Sequence, residues 1–344
     1  MRIGIVGYGF MGHCDAEMFK NFEGIELIAV ADTNPLQMED APQGVEKYDS
    51  IEGLLTADID VVMISTPNPS HIEMVEKCAL AGKHIICEKP VAMNVGELDR
   101  MVEVAKANNV IFTIHQQRRW DPDYRVMKEV YDKGLVGDVY VIKSQLYGFN
   151  GYMHDWHVKP EMGGGMLYDW GVHLIDQILD MVDSPIDSLY AECRNIINDE
   201  VDDYFNIHIR FKNRILAEIE LGTYYLTPKR SWFIGGDKGS AVIDDVFSGE
   251  GKIVRTTRLL ENVPGKITMT AAGPTRSFGP IPEGLLLEES LPEVKTSHRE
   301  YFEHFLKALN GSEDIIVKPE QARRVLQVMD AVRESAKTGA AIKF

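Results

Sequence analysis

Three ionisable residues stand close together in the stretch GGGMLYDWGVHLIDQ, residues 163–177. Asp169 is followed four residues later by His173 and three residues after that by Asp176. On a helix, residues four and seven apart lie on one side, so the sequence predicts a single polar stripe beside an apolar side. Histidine has the side chain whose unperturbed pKa lies nearest neutrality, so His173 is a candidate general base. Asp176, one turn further on, is interpreted as structural support.

A second candidate lies in CEKP, residues 87–90, which ends a predicted strand. A lone lysine in a loop is more often only solvated, but the carboxyl ends of parallel strands are where ligands bind in open α/β sheets. Lys89 beside a substrate hydroxyl would stabilise the developing alkoxide. We therefore predict that Lys89 and His173 act in catalysis and that Asp169 orients the substrate or the imidazole.

The stretch GIVGYGFMG, residues 4–12, places three glycines in the spacing G-x-G-x-x-G. It follows an apolar strand and opens a helix, as in dinucleotide-binding folds, where the pyrophosphate lies at the helix N-terminus. Twenty residues after Gly12, Asp32 ends the second predicted strand, where a carboxylate binds the ribose 2′-hydroxyl. A carboxylate would repel a 2′-phosphate, and the following TNP offers no arginine, so NAD is favoured over NADP.

The predicted cofactor contacts extend to the ends of later strands. STPNPSH, residues 65–71, ends a predicted parallel strand in the same way as CEKP does. The predicted cofactor-binding residues are Gly7, Gly9, Phe10, Met11, Gly12, Asp32, Thr66, Pro67, Asn68, His71, Glu88 and Lys89.

Aromatic rings, histidines and a lysine precede the three glycines in GYMHDWHVKPE, residues 151–161. Sugars bind through apolar ring faces and many hydroxyls, so this stretch suits a sugar, although a solvated loop fits the pattern equally well. The predicted substrate-binding residues are Lys89, Trp156, His157, Lys159, Asp169 and His173.

Two further groups are weaker candidates. Arg118, Arg119 and Trp120 stand at the predicted domain junction and could touch a ligand. His154 and His157 could suggest a metal, but no third ligand stands at a recognisable spacing, so no metal is predicted.

The elements that must position these residues change character along the chain. Through about residue 115, short apolar runs alternate with helical patterns, which predicts parallel strands with crossover helices. After a helical stretch at residues 124–133, DVYVIKSQLYGF and later runs alternate apolar and polar residues, which predicts an antiparallel sheet with one exposed face. The predicted class is α/β, with a dinucleotide-binding domain at residues 1–120 and a substrate-binding and oligomerisation domain at 121–344.

Composition narrows the class of partner. The 344 residues are 44% hydrophobic, enough for two cores, and the net charge of −17 argues against a nucleic-acid groove or an anionic membrane surface. Four cysteines show neither metal-ligand spacing nor the density of a disulfide scaffold, and the N-terminus runs directly into a strand pattern. No apolar run approaches the ~20 residues of a membrane span. We expect a cytoplasmic protein without a signal peptide that acts on a small molecule.

Six stretches together resemble the Gfo/Idh/MocA family of oxidoreductases: GIVGYGFMG, STPNPSH, CEKP, QRRWDPDY, GGGMLYDWGVHLID and ESAKTG. The resemblance covers essentially the whole chain. It implies an N-terminal Rossmann domain, a C-terminal α/β domain with a large open sheet, and nicotinamide-dependent redox chemistry on sugars, cyclitols or related polyols. Lys89 matches the lysine of the family's E-K-P motif, Asp169 its active-site aspartate and His173 its catalytic histidine. Family enzymes are commonly dimers or tetramers that associate through the open sheet.

Three functions fit this sequence. The leading hypothesis is an NAD-dependent dehydrogenase that oxidises a secondary hydroxyl of a sugar or cyclitol. A neutral ring polyol is favoured, because Lys159 is the one fixed cation in the candidate substrate stretch. The alternatives are a non-catalytic NAD-binding sensor, against which Lys89, Asp169 and His173 together argue, and an NAD-dependent glycosidase, which would not release free NADH.

Overall fold

The computed structural model describes residues 1–148, 152–258, 266–276 and 281–344. Phe149 and Gly151, at the ends of two stretches singled out in the sequence, lie outside these ranges. A six-stranded parallel sheet occupies the N-terminal part, in the order β3-β2-β1-β4-β5-β6. Its strands are β1 Arg2–Val6, β2 Glu26–Ala31, β3 Glu46–Tyr48, β4 Val61–Ile64, β5 His84–Cys87 and β6 Phe112–Ile114.

Helices cover the faces of this sheet, as the near-continuous apolar strands predict. β1, β4 and β5 are almost wholly buried, whereas β3 has two exposed residues out of three. β3 is not among the strands predicted from the sequence, because a short exposed edge strand has no apolar run. The helices of this part are α1 Phe10–Phe19, α2 Ile51–Leu54, α3 His71–Leu80 and α4 Val95–Ala107.

The second part is built on a nine-stranded sheet in the order β16-β13-β12-β11-β7-β10-β9-β8-β17. β7 and β10 pair in parallel and the other neighbours are antiparallel, so the prediction of a mostly antiparallel sheet is confirmed. Its strands are β7 Val139–Tyr147, β8 Ile186–Arg194, β9 Tyr204–Phe211, β10 Leu216–Gly222, β11 Trp232–Gly236, β12 Gly239–Ile243, β13 Lys252–Thr256, β16 Leu286–Ser290 and β17 Ile342–Lys343, and a separate hairpin consists of β14 Ile267–Thr270 and β15 Gly273–Arg276.

One face of the large sheet packs against helices and the other faces outward. In β10 the apolar Ala217, Ile219 and Leu221 are buried, whereas the alternate residues include Glu218 and Glu220. The outward-facing alternate positions also include Leu216, which is 40% exposed, so this face is mixed in character.

The helices of the second part are α5 Pro122–Asp132, α6 Val172–Met181, α7 Arg299–Leu309 and α8 Pro319–Thr338. The last two return to the first sheet: the Phe302 ring lies 4.9 Å from that of Phe19, and Thr113 Oγ1 donates to the Val317 carbonyl at 2.7 Å. The C-terminal segment therefore packs against α1 and β6 of the first part. No helix in the described ranges is long and apolar enough to cross a membrane.

Candidate active site

The carboxyl ends of β5 and β6 bring two site residues to the same edge of the sheet. These strands pair with Cys87 opposite Ile114. Lys89 and Gln116 each stand two residues beyond this pair, so they emerge side by side. The edge therefore brings a cationic side chain close to a buried amide side chain.

Lys89 is held by the helical segment that follows the three glycines. Its Nζ donates to Oδ1 of Asp169 and to the backbone carbonyl of the same residue, both at 2.9 Å. The Lys89 and Asp169 side chains are 15% and 24% exposed. An ammonium group has three N–H donors, so this arrangement leaves one of them for a substrate oxygen.

His173 lies beside this pair on α6 and is 3% exposed. Its Nδ1 bonds to Oε1 of Gln116 at 2.8 Å. An amide oxygen can only accept, so Nδ1 must carry the hydrogen and Nε2 is left with a lone pair. Burial lowers the pKa of His173 well below its ordinary value, and the positive charges of Lys89 and Arg118 lower it further. The imidazole is therefore neutral at physiological pH and can accept a proton at Nε2.

The helix that carries these residues is not regular. Residues Leu167–Gly171 form a π-helical turn, and α6 follows directly. The sequence predicts one polar stripe, and Asp169 bonds to Lys89, His173 to Gln116 and Asp176 to Arg119. These partners lie in the segments that directly follow β5 and β6, so the three polar residues face the same edge of the first sheet across the π-helical turn.

Asp176 and Arg119 form a buried ion pair one turn beyond His173. Arg119 Nε and Nη2 donate to the two carboxylate oxygens, both at 2.7 Å, and the two side chains are 4% and 2% exposed. Arg119 Nη1 also lies 3.2 Å from the carboxylate of Asp180. This pair fixes α6 to the segment after β6, which agrees with the structural role predicted for Asp176.

The glycine loop after β1 has the shape that a dinucleotide requires. Gly7 has φ +86° and a Cβ there would lie 2.5 Å from Ser65, while a Cβ at Gly12 would lie 2.4 Å from the Gly7 carbonyl oxygen. A Cβ at Gly9 would meet no described atom within 4 Å, and no side chain caps the N-terminus of α1. The first and third glycines are thus needed for packing, and the second leaves room for a pyrophosphate.

Asp32 directly follows β2 beside this loop. Its Oδ2 accepts the backbone N–H of Tyr8, inside the glycine motif, and its Oδ1 accepts that of Asn34, both at 2.8 Å. The carboxylate is therefore fixed at the end of β2, beside the glycine loop.

Comparison with known proteins places this architecture in a family. Residues 1–116 match the description "Oxidoreductase family, NAD-binding Rossmann fold", and residues 124–242 match the "GFO/IDH/MocA C-terminal domain". The crystal structure of an NAD-binding protein from Listeria innocua is 35% identical to this chain, with a TM-score of 0.92. That match covers 100% of this chain and 99% of the other. The chain belongs to the Gfo/Idh/MocA family of oxidoreductases.

Two curated Gfo/Idh/MocA relatives are inositol dehydrogenases. The myo-inositol 2-dehydrogenase of Thermotoga maritima is 28% identical over 233 residues, 64% of this chain and 68% of the relative. The scyllo-inositol 2-dehydrogenase (NADP(+)) of Bacillus subtilis is 24% identical over 356 residues, 98% of this chain and 94% of the relative. The predicted family, fold and nicotinamide cofactor class are thereby confirmed.

Several residues that are predicted to bind the cofactor are buried in or next to the loop that follows β4. His71 is fully buried, and its ring nitrogens lie 2.8 Å from the Thr66 carbonyl oxygen and 3.2 Å from that of Pro90. Asn68 Nδ2 donates to the Met162 carbonyl at 3.1 Å. These side chains join the strand-end loops to one another, and their contact with a cofactor stays a prediction. At the surface, Phe10 is 82% exposed at the start of α1, next to the partly exposed Met11.

The predicted substrate stretch folds into a short helical turn at Asp155–Val158. The rings of Trp156 and His157 stack 3.8 Å apart, and the His157 carbonyl accepts the N–H of Gly165 at 3.0 Å. Within the described part of the chain, no hydrogen bond or ring contact joins Trp156, His157 or Lys159 to Lys89 or His173. Their role in substrate binding stays a prediction.

The wall of the cleft around His173 contains one of the weaker sequence candidates, Arg118, beside residues that were not predicted. The Arg118 guanidinium lies 4.1 Å from the centre of the Trp170 ring, and Trp170 in turn stacks on Phe247 at 5.8 Å. The same cleft is lined by Gln177 and Trp232. Arg118 is one of the weaker candidates from the sequence. Gln116 follows β6, so the strand-end argument used for residues 65–71 and 87–90 would have found it, whereas Phe247 gives no comparable signal in the sequence.

Proposed function

We propose that this oxidoreductase oxidises a secondary hydroxyl of a sugar or cyclitol, with His173 as general base. The observation that supports this most strongly is the state of His173: it is neutral, its Nδ1 is bound to an amide, and its Nε2 has no hydrogen-bond partner among the described residues. A histidine that only bridged two carboxylates would show no such free nitrogen.

In this proposal the base works together with the adjacent ammonium. NAD, when bound, would supply the hydride acceptor, and His173 would take the hydroxyl proton at Nε2. The free N–H of Lys89 donates to the same hydroxyl oxygen and stabilises its developing negative charge. Asp169 fixes Lys89 through its carboxylate, which explains why an acid is needed at this position without contact to the imidazole.

We propose that the cofactor is NAD rather than NADP. The Asp32 carboxylate is fixed by two backbone N–H groups beside the glycine loop, where it can accept the ribose 2′-hydroxyl and repel a 2′-phosphate. The Bacillus subtilis relative is named as NADP-dependent. Cofactor preference therefore has to be judged on this chain's own residues.

A neutral ring polyol is the proposed substrate. The two cations at the cleft are already balanced, since Lys89 pairs with Asp169 and Arg118 Nη1 lies 3.1 Å from the Asp121 carboxylate. A phosphate dianion would need several uncommitted basic groups. The names of two relatives, both inositol dehydrogenases, support the same class.

A substrate panel tests the proposal. Myo-inositol, scyllo-inositol, aldoses, glycosides, sugar phosphates and nucleotide sugars are each assayed with NAD for the appearance of free NADH. We expect turnover of at least one neutral polyol. Turnover restricted to phosphorylated sugars would overturn the substrate class but not the reaction, whereas NAD binding without turnover of any member would favour a sensor. Cleavage of a glycoside without free NADH would favour a glycosidase.

We also infer that the protein is a homodimer or homotetramer associated through the outer face of the large sheet. A cross-strand row on this face contains Tyr190, His208, Glu218 and Lys143, in which the last two are ion-paired at 2.7 Å. Such a mixed aromatic and ionic surface suits a subunit interface. Light scattering at micromolar concentration should show the oligomer, and a stable monomer would contradict it.

A further inference from the structure

Three ionisable side chains lie close together in the buried layer at the carboxyl ends of β5 and β6, next to Lys89 and Gln116. They are Asp15 on α1, Glu88 after β5 and His115 after β6, and one polar atom of each lies within 4.8 Å of the other two. Glu88 and His115 are brought together by the pairing of Cys87 with Ile114, one residue earlier on each strand. All three side chains are almost inaccessible to solvent.

Hydrogen bonds satisfy one side of this cluster and leave the other open. His115 Nδ1 lies 2.6 Å from Oε1 of Glu88, and the other carboxylate oxygen accepts the backbone N–H of Lys89 at 3.1 Å. His115 Nε2 and Asp15 Oδ2 are buried, and within the described ranges neither has a partner. Unpaired buried polar atoms are costly, and a carboxylate oxygen near an imidazole nitrogen is satisfied when a proton lies between them.

The electrostatics of the cluster favour retention of that proton. Burial raises the pKa of Asp15 to about 8, against the opposing effect of His115. Burial alone would lower the pKa of His115, but the charge and hydrogen bond of Glu88 raise it above its ordinary value. Burial would raise the pKa of Glu88, yet His115 and Lys89 lower it. Glu88 is thus the anion, and the raised pKa values of Asp15 and His115 favour retention of a proton on their side of the cluster.

We propose that Asp15, His115 and Glu88 form a proton-sharing triad that positions Lys89 and Gln116 for the reaction. The positioning part of this proposal rests on the proposed function, whereas the shared proton does not. Glu88 fixes the backbone of Lys89 directly. His115 immediately precedes Gln116, whose side chain sets the tautomer of His173. Asp15 connects both to α1, whose first turn follows the glycine loop.

The triad is enclosed by other groups that contribute to its titration. The His115 ring contacts those of Tyr301 and Phe302 at 4.9 and 5.2 Å between centroids. The ionisable groups whose charges act on the triad, or respond to it, are Lys89, Cys14, His71, Cys87, His173 and Tyr301. A metal ion would need His115 and Glu88 as separate ligands, but these two already share a hydrogen bond of 2.6 Å.

Thermal unfolding of the full-length protein between pH 6 and 9.5 tests the shared proton. Groups whose folded pKa is raised stabilise the fold at lower pH, and this stabilisation is lost as the pH rises through the folded pKa. Asp15→Asn supplies a permanent N–H toward Nε2, so its melting temperature should fall less with pH than that of the wild type, by about 3 °C or more over this range. Identical pH profiles would overturn the triad, and so would a stoichiometric metal in the purified wild type that is lost in Asp15→Asn.

The positioning role is tested by steady-state kinetics with the panel substrate that has the highest kcat. Asp15→Leu keeps the branched shape but replaces both oxygens by methyl groups, so kcat should fall about tenfold, while Asp15→Asn should recover most of that loss at pH 7. NADH affinity and the substrate KM should stay within about twofold in both variants. Equal kcat losses in Asn and Leu variants, or a loss confined to KM, would overturn the positioning role. If no panel member turned over, the proposed function would fail, while the unfolding profiles would still decide on the triad.

Discussion

Two buried histidines, His115 and His173, show how the surroundings of an imidazole can favour either its charged or its neutral form. His115 and His173 are 1% and 3% exposed, and Gln116, the neighbour of the first, is the hydrogen-bond partner of the second. Burial disfavours the charged form of both. His115 nevertheless has a raised pKa, whereas the pKa of His173 is lowered well below its ordinary value.

The difference lies in the partners and not in the depth of burial. His115 faces the carboxylates of Glu88 and Asp15, which favour a positive imidazole. His173 faces an amide and lies near the cations of Lys89 and Arg118. One residue therefore suits the retention of a proton under the cleft, and the other suits the acceptance of one inside it.

Removal of the base or of its cation should have the largest effect. His173→Ala and Lys89→Met are each expected to lower kcat by about 10²-fold or more, the usual scale for a group in proton transfer, while NAD binding persists. Lys83→Met and His304→Ala serve as matched controls, because these residues bond to the Ile59 carbonyl and to Glu313, away from the cleft. Near-normal turnover in either test variant would refute its assigned role.

Conversion of the His173 environment into one like that of His115 should have the next largest effect. Gln116→Glu places a carboxylate at Nδ1 and should raise the pKa of His173. The acid limb of the kcat/KM profile should then move to higher pH, with about a tenfold loss at pH 6. Gln116→Met is the control: it removes the acceptor without adding charge, so its activity should fall without a shift of the limb. An unmoved limb in Gln116→Glu would show that His173 is not the titrating base.

Replacement of Asp32 should change the affinity for the cofactor without changing the protonation of His115 or His173. Asp32→Ala removes a charged acceptor for the ribose, so the NAD dissociation constant should rise about five- to tenfold and the preference over NADP should narrow. Titration by fluorescence measures both constants. Equal affinities for NAD and NADP in the wild type would remove the role assigned to Asp32.

The two histidines should also act on stability at opposite ends of the pH scale. Below pH 6.5 the unfolded chain protonates His173 but the folded chain does not, so the wild type should lose up to about 1.4 kcal/mol per pH unit from this group. His115 stabilises the fold at low pH, and this contribution is lost as the pH rises through its raised folded pKa. Urea unfolding from pH 5 to 9 should show a flatter acid side in His173→Gln and a flatter alkaline side in His115→Gln. A flatter alkaline side in His173→Gln together with a flatter acid side in His115→Gln would contradict the comparison of the two histidines.

The sequence was sufficient where a local pattern determines the structure. The glycine motif, Asp32 and Lys89 could be placed because each follows an apolar parallel strand. The partner of His173 could not be predicted, since Gln116 is 57 residues away and meets it only through the docking of α6 on the first sheet. The π-helical turn at Leu167–Gly171 and the meeting of Asp15 with Glu88 and His115 likewise depend on tertiary packing.

The most direct test of this account is the protonation state of the two imidazoles. Nitrogen-15 NMR of histidine-labelled protein, assigned by the loss of signals in His173→Gln and His115→Gln, distinguishes neutral tautomers from the imidazolium. At pH 7 we expect His173 to be neutral with hydrogen on Nδ1 and a bare Nε2, and His115 to have its Nε2 in a shared-proton hydrogen bond. A protonated His173 at pH 7, or a neutral His173 with hydrogen on Nε2, would contradict the claim that it is the general base.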